Sequence, residues 1–60
     1  METHKGTKDD TYVISAISDT TLTDVESGFT ITVYAGTQIR YHAISDQFTT
    51  DGECIVRPFR

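Results

Sequence analysis

The stretch GFTITVYAGTQIRYHAIS, residues 28–45, decides the predicted fold because apolar and polar side chains alternate along it on both sides of a glycine. Such alternation indicates β-strands with one buried face, since successive side chains of a strand point to opposite faces. The predicted buried face consists of Phe29, Ile31, Val33, Ile39, Tyr41 and Ala43. The opposite, polar face consists of Thr30, Thr32, Tyr34, Gln38, Arg40 and His42. That polar face is either a binding surface or a solvated sheet face.

The pattern also predicts how these two strands pair. A three-residue loop at 35–37, or a bulge near Gly36, pairs Val33 with Ile39 and Thr32 with Arg40. This register keeps the apolar residues on one face, and register follows the hydrophobic pattern wherever one face is buried.

Two further hairpins are predicted from glycine positions. Gly28 ends a three-residue loop at a position that requires positive φ, which places Thr23 opposite Ile31 in the preceding hairpin. The dipeptide at 51–52, Asp-Gly, is a strong signal for a tight hairpin turn, which here pairs Thr50 with Glu53.

The whole chain from residue 11 is rich in β-branched and aromatic residues, which fit a pleated, half-buried surface. We predict an all-β domain at 11–60, a meander of about five antiparallel strands at roughly 11–18, 20–25, 29–35, 38–49 with a kink, and 53–58. The first strand is apolar on both alternations, which predicts a central strand covered on both faces or a strand that crosses a barrel corner. Pro58 lacks a donor, so the last strand is predicted to be an edge strand or to end there. So small a sheet must curl, giving a half-open barrel or a dimeric sheet.

Residues 18–28 permit an alternative, a short helix at 18–27 that Ser18 caps and Gly28 ends. The β-branched residues of this run favour the strand. The tetrapeptide AISD occurs at 16–19 and again at 43–46. A strand that ends in Ser-Asp and turns the chain explains both copies, and duplication of a hairpin unit is the alternative.

Residues 1–10 hold no apolar residue after Met1, and they are predicted to be a flexible polar tail. The net charge of −4 argues against non-specific attraction to polyanions or anionic membranes. The single cysteine, Cys54, cannot form an internal disulfide, and no export signal or long apolar run is present. We therefore expect a cytoplasmic protein without a membrane segment.

No motif in the sequence predicts catalysis, a metal site or a cofactor site. His42 lacks a nucleophile-bearing turn such as GxSxG, and two histidines with one cysteine do not complete a zinc site. The acidic residues lie in or beside turns, without the spacing of a calcium loop, and no glycine-rich phosphate loop occurs. We expect no enzymatic activity, no catalytic residues and no cofactor.

The favoured hypothesis is a protein-interaction module that acts through its sheet face or edge. Such a module is a small regulator or inhibitor of a larger cytoplasmic protein, of the kind that phages and mobile elements encode, and self-association into a homodimer is also expected. The predicted interaction surface is Tyr34, Arg40, His42, Thr30 and Thr32, because exposed Tyr and Arg are enriched at interfaces.

The alternative hypothesis is a small β-barrel that binds single-stranded nucleic acid. Its predicted contacts are Tyr34, Arg40, Arg57 and Phe59, since such barrels combine exposed aromatic and basic side chains. Residues 11–60 carry three basic and six acidic groups, however, and phosphate contacts supply most non-specific affinity. Nucleic acid is therefore the less favoured partner.

Overall fold

The computed structural model describes residues 1–59 and shows an all-β protein. Its seven strands are β1 (Glu2–Lys5), β2 (Thr11–Ala16), β3 (Thr20–Asp24), β4 (Thr30–Val33), β5 (Gln38–His42), β6 (Gln47–Thr50) and β7 (Cys54–Pro58). The predicted fold class is confirmed. The alternative helix at 18–27 is wrong, because Thr20–Asp24 within this run is strand β3, as its β-branched threonines favour. Within residues 1–59 no helix is long and apolar enough to cross a membrane.

The strands form two antiparallel sheets rather than one meander. The four-stranded sheet has the order β1-β6-β3-β4, and the three-stranded sheet has the order β5-β2-β7. The predicted pairing of Val33 with Ile39 is wrong, because Val33 pairs with Thr20 while Ile39 pairs with Ile14. The loops between β4 and β5 and between β6 and β7 each carry the chain from one sheet to the other, so that the apolar faces of the two sheets cover each other.

The predicted strand at 38–49 is two strands in different sheets, β5 and β6. The hairpin predicted at residues 51–52 is also absent, since β6 pairs with β1 and β3 and β7 pairs with β2. Instead, the Asp51 carboxylate accepts the Thr21 backbone N–H at 2.7 Å. A Cβ at Gly52 would overlap the Thr20 hydroxyl and the Asp19 carbonyl. Glycine is needed here for close approach between chain segments rather than for a tight turn.

Residues 1–10 do not form the predicted flexible tail, because Glu2–Lys5 is strand β1 and pairs with β6 along its length. The His4 ring stacks on Phe48 with ring centroids 5.2 Å apart, and its Nε2 lies 2.9 Å from the Thr50 hydroxyl. Without β1 the edge of β6 would be unpaired and Phe48 less covered. These backbone bonds and the packing of His4 stabilise a segment that its composition marks as polar.

The hairpin before residue 30 forms, with one change of register. Gly28 has φ 78°, as predicted for the residue that ends the loop. The loop has four residues, 25–28, because Asp24 N–H donates to the Phe29 carbonyl at 2.8 Å. Thr23 therefore pairs with Thr30 instead of Ile31.

The core lies between the two sheets. Its buried apolar side chains are Ile14, Ala16, Leu22, Val33, Tyr41, Ala43 and Phe48. Most of the predicted buried face is confirmed, with Ile31 and Ile39 half-buried, but Phe29, which stands between the loop and β4, is 49 % exposed. β2 is a central strand and β7 an edge strand, in each case one of the two predicted alternatives, but the other sheet covers only one face of β2. The N–H of Phe59 donates to the Thr11 carbonyl of β2 at 2.9 Å. Because hydrogen-bonded positions alternate along a strand, the adjacent Pro58 faces the outer edge of β7. No strand among residues 1–59 pairs there, so the N–H that proline lacks is not needed.

The fold repeats itself with an internal two-fold relationship. Exchanging β1 with β4, β2 with β5 and β3 with β6 leaves the order of the four-stranded sheet and the β2–β5 pair unchanged. The contacts also repeat: Ala16 N–H donates to the Thr37 carbonyl at 3.0 Å, and Ala43 N–H to the Asp10 carbonyl at 2.9 Å. Asp9 and Gly36, which precede those two acceptors, both have positive φ, 74° and 82°. The repeated AISD segments connect equivalent strands, which favours duplication of a three-strand unit over two unrelated turns.

Candidate functional site

The residues predicted to form one interaction surface lie in three places. Thr30 and Thr32 are exposed on β4, on the outer face of the four-stranded sheet. Arg40 and His42 are exposed on β5, in the three-stranded sheet. Tyr34, 64 % exposed, lies in the loop between β4 and β5, one of the connections that cross from one sheet to the other. The separation arises because β4 and β5 do not form a hairpin.

The outer face of the three-stranded sheet gathers basic, aromatic and aliphatic side chains. We call it the basic face, and define it as Gln38, Arg40, His42, Thr11, Val13, Ser15, Ile55, Arg57 and Phe59. Val13 pairs with Arg40 on one side and with Arg57 on the other, so these three residues form one rung across the sheet. Both arginines that the structure describes therefore lie on this face.

Arg40 and Phe59 are in direct contact across the basic face. The Arg40 guanidinium carbon lies 4.4 Å from the centroid of the Phe59 ring, within the range of a cation–π interaction. Phe59 is still 46 % exposed. Next to it is a shallow depression of about 260 Å³, lined by Asp10, Thr11, Pro58 and Phe59. That volume is below the roughly 300–1,000 Å³ of typical small-molecule sites, so a flat partner surface suits this face better.

His42 is exposed on the basic face, between two polar groups. Its Nδ1 lies 3.5 Å from the Thr11 hydroxyl, and its Nε2 lies 3.7 Å from an Asp9 carboxylate oxygen. Both separations exceed the roughly 2.6–3.2 Å at which a base and a nucleophile exchange a proton. The geometry fits a surface histidine that adds polar contacts to the face.

The outer face of the four-stranded sheet is dominated by threonine, and we call it the threonine face. One rung crosses all four strands, since Thr3 pairs with Thr49, Thr49 with Thr23, and Thr23 with Thr30. The threonine face also includes Thr21 and Thr32, which pair with each other. Thr3 and Thr49 were missed from the sequence, because Thr3 stands in the segment predicted to be a tail and Thr49 in a strand predicted to pair elsewhere. Threonine fits the exposed pleat of a sheet well, which accounts for this face without a ligand.

The acidic residues serve the turns, as their positions in the sequence predict. The buried Asp24 accepts the Ser45 hydroxyl at 2.6 Å and both the backbone N–H and the hydroxyl of Ser27 at 2.8 Å. The hydrogen bond from Ser45, followed by the backbone N–H of Ser27, lowers the pKa of the Asp24 carboxyl below its ordinary value of 3.8. Along residues 1–59, no three His, Cys, Asp or Glu side chains are grouped as metal ligands.

A comparison of this chain with protein-family models, with curated proteins and with solved structures finds no match. The candidate functional surfaces are therefore the two outer faces and the free edges of the sheets.

Proposed function

We propose that this protein is a non-enzymatic protein-interaction module that binds a larger protein through the basic face. The observation that supports this is the rung Arg40–Val13–Arg57, with the Arg40 guanidinium over the half-exposed ring of Phe59. Interfaces are enriched in arginine and aromatic side chains, and their strongest contacts are usually made by these residue types. Val13 would form the apolar centre of such an interface, and Arg40 and Arg57 on either side would form its polar rim.

The charge distribution supports a partner that presents carboxylates. The chain has a net charge of −4, yet both described arginines lie on one face, which Asp9 and Asp10 border at one end. A partner with acidic groups would meet attraction at this face and repulsion elsewhere, which orients the encounter. In this proposal the protein acts as a small regulator or inhibitor.

The cellular setting is part of the same proposal. Cys54 is a free, half-buried thiol, which suits a reducing cytoplasm. We also propose a phage or mobile-element origin. A homodimer formed through a sheet face or edge is a further part of the proposal, and light scattering on the purified protein tests it.

The experiment is affinity capture of the tagged protein from its native host, with mass spectrometry of what binds, followed by binding assays on the purified partner. Arg57→Ala and Phe59→Ala are expected to weaken binding by about tenfold or more, as interface hot spots do. Lys5→Ala is the matched control for loss of one positive charge, because Lys5 is exposed on β1. Thr30→Ala with Thr32→Ala tests the threonine face. Equal affinities for all variants would refute the basic face as the binding surface.

Single-stranded nucleic acid is a second candidate, and one observation favours it. Three of its four predicted contacts, Arg40, Arg57 and Phe59, lie on the basic face, while Tyr34 lies in the loop between the sheets. A fluorescence titration with a single-stranded oligonucleotide at low and moderate salt tests it, since phosphate contacts weaken steeply as salt rises. Binding that is salt-sensitive and lost in Arg57→Ala would favour nucleic acid over the protein partner.

A further inference from the structure

We infer that the free edge of β5 is a docking site for an extended acidic segment of the partner protein, which adds to the sheet as a fourth strand. This inference rests on the proposed function, because it names how a partner of the basic face would be held. Added-strand binding uses backbone hydrogen bonds for affinity and alternate side chains for specificity.

The internal two-fold relationship shows that this edge is equivalent to one already occupied. β2 and β5 are equivalent strands that pair with each other, and β2 carries β7 on its other edge. No strand among residues 1–59 pairs with the corresponding edge of β5. Of these two equivalent edges, that of β2 therefore pairs with β7, and that of β5 is free among the described residues.

The backbone groups of β5 are arranged to accept that strand. The hydrogen bonds from Ala16 N–H to Thr37 and from Ala43 N–H to Asp10 mark the odd-numbered residues of β5 as those bonded to β2. Because hydrogen-bonded positions alternate along an antiparallel strand, the intervening residues direct N–H and C=O groups to the free edge. Those residues are Gln38, Arg40 and His42, and all three are exposed.

Charge decides which strand fits. On the occupied edge, the outer-face residue of β2 is the neutral Val13, which pairs with Arg57 of β7. The equivalent residue on the free edge is Arg40, so a strand that pairs there should place Asp or Glu opposite it. A second copy of this chain is disfavoured at this edge, because antiparallel pairing of two β5 edges would set Arg40 against Arg40, and no other edge strand of the copy offers an acid there. The residues that direct backbone groups to the outer edges of β1, β4 and β7 are Thr3, Lys5, Thr30, Thr32, Cys54, Val56 and Pro58. The occupant is therefore an extended acidic segment of another protein.

The test uses two forms of the chain made by chemical synthesis and a peptide probe. The probe is the capped peptide Val-Glu-Val-Glu-Val-Glu-Val, and its control has glutamine at each glutamate. In the first protein form the backbone nitrogen of Arg40 is methylated, which blocks the free edge and keeps the side chain. In the matched form the nitrogen of Val56 is methylated, which changes the outward edge of β7 instead.

We expect the acidic peptide to protect the amides of Gln38, Arg40 and His42 from hydrogen exchange. Methylation at Arg40 should weaken its binding about tenfold, the effect of one or two lost hydrogen bonds, while methylation at Val56 should leave it unchanged. Equal binding to both methylated forms, with binding lost in Phe59→Ala, would overturn the edge site but leave the basic face as the binding surface. Equal binding of acidic and glutamine peptides would overturn the charge argument. Protection that rises with protein concentration in the absence of peptide would make the occupant a second copy and overturn this inference. The proposed function itself would be refuted by a different result, namely unchanged partner binding in both Arg57→Ala and Phe59→Ala.

Discussion

Asp19 and Asp46 hold equivalent places in the two halves of the chain and make the same contact. The Asp19 carboxylate accepts the backbone N–H of Ala35 at 2.9 Å, and the Asp46 carboxylate accepts that of Lys8 at 3.3 Å. In each case the aspartate of an AISD segment holds the loop that enters the other half's strand of the three-stranded sheet. The repeated tetrapeptide therefore has a structural purpose that goes beyond ending a strand: it joins the two halves.

Removing these carboxylates should destabilise the protein to unequal extents. We expect Asp19→Ala to lower the free energy of unfolding by about 1 kcal/mol, and Asp46→Ala by less, because the Asp46 bond is longer. Urea unfolding measures both. Asp10→Ala is the control, since its exposed carboxylate makes no hydrogen bond among residues 1–59, and it should change stability by less than about 0.5 kcal/mol. A larger loss of unfolding free energy in Asp46→Ala than in Asp19→Ala would show that these hydrogen-bond lengths do not determine the contribution of each carboxylate.

Two glycines should respond differently to alanine. Gly36 has φ 82° with open space around it, so Gly36→Ala should cost about 1–2 kcal/mol through backbone conformation alone. Gly36→Asn should cost less, because asparagine tolerates positive φ. Gly52→Ala should cost about 2 kcal/mol or more, because its Cβ would overlap the Asp19 carbonyl and the Thr20 hydroxyl. Thermal and urea unfolding of the three variants tests this, and an alanine at residue 52 that leaves stability unchanged would rule out the close approach.

The sequence predicted well which residues form strands and which strand faces are buried. It predicted poorly which strands pair with each other. The alternation in residues 28–45 placed Val33, Tyr41 and Ala43 in the core, where the structure also buries them. The glycine at residue 36 was correctly placed in a loop, but a glycine in a loop does not distinguish a hairpin from a crossing between sheets. Both connections satisfy the same local backbone preferences, and only packing of two sheets over a shared core separates them.

The sequence indicated which residues of the candidate site are exposed, but not which of them lie together on one face. Arg40, Arg57 and Phe59 could be singled out as exposed basic and aromatic side chains, yet their grouping depends on β2 lying between β5 and β7. Val13 was missed because the first strand was expected to be covered on both faces. The contribution of β1 was missed for a similar reason, since His4 gains its packing only from the distant Phe48.

The buried carboxylate of Asp24 should make stability depend on acid pH. Its pKa is lowered in the folded protein, chiefly by the Ser45 hydroxyl, so the folded state binds this proton less readily than the unfolded chain. The stabilisation is therefore present above the unfolded pKa, near 4, and is lost as the pH falls through the lower folded value. Melting temperatures measured between pH 2 and pH 7 should fall less steeply below about pH 4 in Asp24→Asn than in the unmodified protein. Asp10→Asn is the control, and an identical acid slope in Asp24→Asn would argue that other carboxylates dominate.

Strand β1 should contribute measurably to stability although its sequence is polar. Deletion of residues 1–5 removes the pairing with β6 and uncovers Phe48, which is only 1 % exposed. A domain of this size has a total stability of about 3–9 kcal/mol, so the loss of one edge strand should lower the urea midpoint clearly. His4→Ala isolates the packing part and should cost about 1–2 kcal/mol, from the ring stacking on Phe48 and the contact with Thr50. Lys5→Ala, on the exposed side of the same strand, should stay within about 0.5 kcal/mol of the unmodified protein. An unchanged midpoint after the deletion would mean that residues 1–5 behave in solution as the flexible tail that their composition predicts.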